Sequence, residues 1–329
     1  MNNFFNDVTK TVKPEIAENK SNPFSELSTI TENTNNSNQY NSTNILDLIS
    51  IKQTYDSGKV VVFDNLNLSI KDITDRGQFV TILGQSGCGK STILRYIAGI
   101  QTPTEGKLML KGKELNEDDR IPMVFQHYSS FPWFKVIDNI SLPLILKGVS
   151  KKEAYDRAME MVKVVGLEGH ENKYAKYPLL SGGQLQRVAI ARNLVANSEI
   201  LLMDEPFGAL DIVTRRSMQS FLRKIFQDNN NVDPTIILVT HDIREAIFLS
   251  TDIFILDINP ANIRCHIEID LPFVRDIHLK RESKFLEYVN YIEDFMEKLE
   301  KETESKKQQN NNIVKQNKKS IFNFLIKNK

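Results

Sequence analysis

Apolar positions along this chain follow two periods. Residues 45–51, 59–63 and 66–70 are short β-type runs separated by turn residues, and their closeness predicts a small antiparallel sheet. The runs Phe79-Val80-Thr81-Ile82-Leu83, Ile200-Leu201-Leu202-Met203 and 235–240 are apolar almost throughout, as in strands buried on both faces. Two further strand-like stretches cover 107–110 and 122–126. Helical spacing takes over at Ala154, Ala158, Met161, Val162 and Val165, at Met218, Phe221, Leu222 and Ile225, and from Phe285 through Val289, Ile292 and Met296 to Leu299. Buried strands alternating with helices predict an α/β domain with a parallel sheet.

The two ends follow neither period. Residues 1–44 are crowded with Asn, Ser and Thr and cannot bury enough surface to offset ordering, which predicts a disordered extension. From Lys301 the chain turns rich in Lys, Asn and Gln and is expected to be a solvated spacer. It closes with an apolar group at 321–326 among lysines, a composition that also suits contact with an anionic membrane surface. The domain boundaries expected are therefore 1–44, 45–273 and 274–329.

Composition narrows the classes. A formal net charge of +0 over 329 residues argues against nucleic acid as the main partner. The two cysteines, Cys88 and Cys265, lie in a loop and a late strand, which fits a reducing compartment better than a disulfide framework. No run of about 18 apolar residues exists, and the first ten residues lack the basic start and apolar region of a leader, so neither a membrane span nor export is expected.

The chemistry centres on Gly84-Gln85-Ser86-Gly87-Cys88-Gly89-Lys90-Ser91-Thr92. It fits Gly-x4-Gly-Lys-[Ser/Thr] between a predicted strand and a predicted helix, the context in which that pattern holds a polyphosphate. Glycines let backbone N–H groups approach the phosphates at a helix N-terminus. Lys90 offers an ammonium to the β- and γ-phosphates, and the Ser91 hydroxyl can join the coordination of Mg2+. An acidic pair, Asp204-Glu205, follows a buried strand: Asp204 suits the same magnesium and Glu205 suits a general base for water. His241, at another strand end, suits a structural role when taken alone, and the surrounding constellation favours contact with a γ-phosphate oxygen.

Four features stay open on the residues alone. Gln126 suits either the ligand crevice at a strand end or a plain loop. Ser181-Gly182-Gly183-Gln184 suits a second anion site at a helix N-terminus or simply a capped helix. Tyr55 suits adenine stacking and a partly buried turn equally. The aromatics of Phe131-Pro132-Trp133-Phe134 fit core or a docking surface.

Taken together, residues 45–273 resemble the nucleotide-binding subunit of an ATP-binding cassette (ABC) transporter. Gln126 matches the Q-loop, Leu180-Ser181-Gly182-Gly183-Gln184 the signature, Met203-Asp204-Glu205-Pro206 the Walker B segment, Ala209-Leu210-Asp211 the D-loop and His241 the switch histidine. The resemblance implies a P-loop NTPase (RecA-like) core with an antiparallel β subdomain and an inserted helical subdomain at about 127–199. It implies ATP and Mg2+ as ligands, with Tyr55 on the adenine, and Gly84 to Thr92, Ser181 to Gln184 and Asp211 on the nucleotide. Lys90, Gln126, Glu205 and His241 then serve hydrolysis, while Ser91, Gln126 and Asp204 hold the metal.

The resemblance also implies a dimer in which the signature helix of one copy closes over the nucleotide of the other. Transmembrane permease subunits, an extracytoplasmic solute-binding protein reached indirectly, and a peripheral place on the cytoplasmic face of the membrane follow from it. Phe131-Pro132-Trp133 and the segments after Met203 and Thr240 look most like importers of nitrate, sulfonate, taurine or bicarbonate. An exporting or lipid-handling cassette is the rival within transport. A soluble ABC ATPase of the chromosome-organising type would need a long coiled coil between Lys90 and Ser181, and that interval has no room for one.

Overall fold

The computed structural model describes residues 44–73, 77–116, 119–126, 129–227, 234–258 and 260–327, with side chains as far as 305. Of the extension expected at 1–44, only Asn44 falls among the described residues, where it opens the first strand.

The first sheet is antiparallel. Strand β1 (Asn44–Tyr55) pairs on one side with β2 (Val60–Lys71) and on the other with β4 (Glu105–Leu110), and the two-residue β5 (Lys113–Glu114) completes the order β2-β1-β4-β5. The runs at 59–63 and 66–70, expected as separate strands, form one strand. The register passes from Gln53 opposite Phe63 to Ile51 opposite Leu66, so β2 carries an extra residue there, with Asn65 at a φ of 63°. A bulge absorbs the polar pair Asp64-Asn65 without ending the ladder.

The second sheet has the order β10-β9-β3-β8-β7-β6. Its centre is β3 (Gln78–Gly84), buried at every residue and flanked by β8 (Thr235–Thr240) and β9 (Asp252–Leu256). Outward from β8 lie β7 (Ile200–Asp204) and the short β6 (Met123–Val124), all parallel, while β10 (Ile263–Glu268) runs antiparallel to β9. The stretch expected as a strand to Gln126 stops at Val124, so Gln126 lies in a bend two residues beyond the sheet.

Side-chain alternation along these strands gives the sheet two apolar faces. Phe79, Leu83, Met203 and Leu238 face α5 (Ile212–Gln227), α6 (Ile243–Leu249) and α7 (Ser283–Lys327). Val80, Ile82, Leu202 and Val239 share a core with α1 (Lys90–Ile97) and the antiparallel sheet. A third core, containing Val136, Ile140, Ala158, Val162 and Val188, belongs to the inserted helices α2 (Val136–Leu146), α3 (Lys151–Val164) and α4 (Gly182–Leu194). Helix α4 also sends Ala189 and Ile190 into the first core, which joins the insertion to the sheet.

The tail departs from its sequence reading. Instead of a spacer from Lys301, α7 runs unbroken from Ser283 to Lys327. The stretch contains no Gly or Pro, and its Lys, Gln and Glu are good helix formers, so propensity favours continuing the helix. The side chains of 321–326 lie outside the described residues.

Candidate functional site

Strand β3 delivers the chain into the loop 84–89, and α1 starts at Lys90. Gly89 precedes the helix at a φ of 99°, and a Cβ there would stand 2.6 Å from Phe63. A Cβ on Gly84 would stand 2.8 Å from the Leu256 carbonyl. Only glycine fits both places, so the loop is drawn tight against β2 and β9. No side chain caps α1 and no acid occupies its first turn, which leaves the N–H groups of Lys90, Ser91 and Thr92 open to an anion. Gly87 takes a φ of 81° at the loop's exposed crest beside Ser86. Cys88 points inward, and burial pushes its thiol up from its usual range, so it packs as a neutral group.

Lys90 is 4% exposed, and its ammonium donates to the carbonyls of Gly84 at 2.9 Å and Gln85 at 2.8 Å. The loop is thus folded around its own lysine. Across from it, at the carboxyl ends of β7 and β8, three chemistry-bearing groups converge. Asp204 ends β7 and accepts a hydrogen bond from the Ser91 hydroxyl at 2.8 Å. Glu205 Oε1 lies 3.8 Å from Lys90 Nζ, and Glu205 Oε2 lies 3.2 Å from His241 Nδ1. One carboxylate therefore spans the loop lysine and the histidine after β8.

Glu205 adopts a φ of 40°, which is strained for a residue with a side chain, and its N–H donates to the Val239 carbonyl at 3.0 Å. The left-handed turn swings its carboxylate off the strand direction and toward Lys90. A Cβ on Gly208 would come 3.4 Å from Gln126 Nε2 and 3.9 Å from Glu205 Oε2, so the Gln126 amide and this carboxylate both lie against Gly208.

The Ser91–Asp204 pair fits a hard divalent cation. Burial raises the Asp204 carboxyl above the ordinary range, against the opposing bond from Ser91 and the nearby cations Arg95 and Lys90. A carboxylate held in so dry a place lacks full compensation, and oxygen donors with phosphate and water are what Mg2+ takes. Among the described residues no three or more His, Cys, Asp or Glu side chains are arranged to hold a metal ion by themselves.

The second anion site is built as a capping box. Ser181 Oγ accepts from Gln184 N at 3.3 Å, and Gln184 Oε1 accepts from Ser181 N at 2.9 Å. Gln184 Nε2 also meets His170 Nε2 at 2.9 Å. A Cβ on Gly183 would stand 2.7 Å from the Thr214 methyl, so glycine lets α5 come close here. Among the described residues none of the hydrogen bonds of Ser181 to Gln184 reaches the phosphate loop of the same chain. Asp211 begins α5 by accepting from the N–H groups of Val213 and Thr214, and the bonds from Thr214 foremost hold its carboxyl below the ordinary range. Tyr55 ends β1 nearly half exposed, and its hydroxyl accepts from Gln101 Nε2 at 3.1 Å.

The aromatic segment after Gln126 is presented by residues that no sequence pattern picked out. Asn139 is fully buried; its Oδ1 accepts from Phe131 N, and its Nδ2 donates to the carbonyls of Phe131 and Phe134. Arg192, late in α4, donates to the Ser129 carbonyl at 2.7 Å and lies 4.8 Å over the Phe131 ring. These contacts fix the turn with Trp133 turned out to solvent at 66% exposure. The helix capped by Ser181 thus carries, near its far end, the residue that holds the aromatic turn.

Residues 63–208 match the family model described as ABC transporter. The chain is 42% identical over 247 residues to a nitrate import ATP-binding protein of Synechocystis, which covers 73% of this chain and 89% of that protein. It is 42% identical over 225 residues to an aliphatic sulfonates import ATP-binding protein of Bacillus cereus, covering 68% and 84% respectively. Among solved structures, a dimeric ATP-binding cassette in a post-hydrolysis state with ADP and Pi matches with a TM-score of 0.58 at 34% identity. That match covers 69% of this chain and all of the other.

Proposed function

This chain belongs to the family of ABC transporter ATP-binding proteins, and from that premise we propose that it is the ATP-hydrolysing subunit of an importer for a small oxyanion. Nitrate and alkanesulfonates are the solute types, by analogy with relatives named for nitrate and aliphatic sulfonate import. The observation that carries the catalytic reading is Glu205, whose carboxylate stands between Lys90 and His241 at the mouth of the phosphate loop.

In this reading the first-turn N–H groups of α1 and the Lys90 ammonium hold the β- and γ-phosphates of ATP. To reach them, Lys90 exchanges loop carbonyls for phosphate oxygens. Ser91 and Asp204 hold Mg2+ with Gln126 near, and the ion supplies neutralisation of phosphate charge. Glu205 takes a proton from the attacking water, and His241 orients Glu205 and meets the γ-phosphate. Tyr55 stacks on the adenine.

Ser181 to Gln184 and Asp211 act on the nucleotide of a second copy, because their own bonds close within the helical subdomain and α5. Two copies close when the γ-phosphate links them and part when it is lost. Trp133 and its neighbours meet a permease on the cytoplasmic face of the membrane, and α4 transmits the movement through Arg192. An extracytoplasmic binding protein delivers the solute. Reconstitution with the adjacent permease in vesicles tests this: uptake of nitrate or an alkanesulfonate should require ATP, and ATP-driven efflux instead would overturn the direction.

A further inference from the structure

We propose that Glu300, on the C-terminal helix α7, is a positioning residue for the phosphate loop. Its Oε1 accepts a hydrogen bond of 2.6 Å from Nε2 of Gln85, the second residue of the loop, 215 positions earlier in the chain. Gln85 is doubly engaged. While its side chain reaches outward to α7, its carbonyl reaches inward to the Lys90 ammonium at 2.8 Å. The same residue therefore connects the outer helix to the group that grips phosphate.

The contact is anchored on both sides. One half-turn beyond Glu300, Glu302 accepts from Arg264 Nη2 at 3.1 Å, and Arg264 Nη1 donates to Asp257 at 2.8 Å, just past the end of β9. At its start, α7 is seated by buried Phe285, Tyr288 and Ile292 in the first core, and Tyr288 receives the Asp270 N–H. Between the loop and α7 lies a shallow crevice lined by Gln85, Leu256, Met296, Leu299, Glu300 and Thr303. The helix is held firmly on its side of this crevice. Gln85 and Glu300 are then the direct side-chain link across it.

The physical consequence has two parts of opposite sign. Holding Gln85 fixes the carbonyl that Lys90 uses and favours the ordered loop. A carboxylate near a polyphosphate site repels the ligand. Glu300→Gln keeps the accepting oxygen and removes the charge, whereas Glu300→Ala removes both. Losing one hydrogen bond of this kind corresponds to a change of roughly 2- to 10-fold in an equilibrium constant.

This inference rests on the reading that the loop binds ATP, which Lys90→Ala tests separately through loss of nucleotide binding. In full-length protein, Glu300→Ala should raise the KM and the Kd for ATP about 2- to 10-fold with kcat within about twofold of wild type. Glu300→Gln should stay at or below the wild-type KM. Glu297→Ala, one turn earlier and paired with Lys301, serves as the control for helix stability and should change neither constant. An unaltered KM in Glu300→Ala, or an equal rise in Glu300→Gln, overturns the assignment while leaving ATP binding by the loop untouched.

Discussion

Ser91 and Asp204 are 113 residues apart in sequence, yet the hydroxyl of one donates to the carboxylate of the other at 2.8 Å. The bond ties the first turn of α1 to the end of β7. It places two oxygen ligands side by side at the carboxyl edge of a parallel sheet, the edge where open α/β folds collect their ligands.

Asp204 is buried, and burial raises its carboxyl, so ionisation at neutral pH costs the metal-free fold stability. That cost is absent below the ordinary carboxylate range and complete above the raised one. Asp204→Asn should therefore melt no lower than wild type at neutral pH without Mg2+, while Mg2+-dependent hydrolysis falls on the order of 10²-fold. Calorimetry and phosphate release on the same preparations measure both effects. A large drop in melting temperature with activity retained would reverse the assignment.

Glu205→Gln should keep ATP binding and slow hydrolysis on the order of 10²–10⁴-fold, the scale of a lost general base. The amide still reaches Lys90 and His241, so geometry is preserved while basicity is lost. Nucleotide titration beside a turnover assay separates the two, and turnover near wild type would remove Glu205 from the role.

A pH dependence belongs to Glu245, which is 3% exposed on α6 and accepts from Gln219 Nε2 at 2.9 Å. Burial, then the charge of Asp242, pushes its carboxyl up from 4.5 to about 7. Because the fold favours the neutral form, stability from this group is greatest below about 4.5 and declines as pH rises through about 7. Glu245→Gln should remove that decline, melting a few °C above wild type at pH 8 and little differently at pH 5. Parallel melting curves for the two proteins from pH 5 to 8 would count against it.

Trp133 stands out from a turn that Asn139 and Arg192 hold from behind. Trp133→Ala should leave ATP turnover by the isolated subunit within about twofold and cut solute uptake by the assembled transporter severalfold, since a large exposed aromatic is the usual anchor of an interface. Equal loss in both assays would place Trp133 in the catalytic fold instead of at a docking surface.

Much of this architecture is legible in the sequence because its signals are local. The apolar runs of β3, β7 and β8 and the helical spacing of α3 and α5 each sit within one element. The loop glycines and the Asp204-Glu205 pair carry their chemistry in adjacent positions. What escapes is long-range or compensated. Nothing near Asn139 announces that its amide will satisfy the backbone of 131–134, and nothing in Gln85 points to a helix two hundred residues away. The bulge in β2 hides behind turn residues, and the extension of α7 past Lys301 depends on propensity without an apolar period to mark it.

In the proposed function, ATP is enclosed only when Ser181 of one copy meets the phosphate loop of another. Light scattering of Glu205→Gln with ATP and Mg2+ tests it most directly, because slowed hydrolysis traps the closed state. The mass should double when ATP is added, and a second substitution, Ser181→Arg, should hold the protein at one copy while ATP still binds. A single copy binding ATP with unchanged mass, and no difference made by Ser181→Arg, would contradict it.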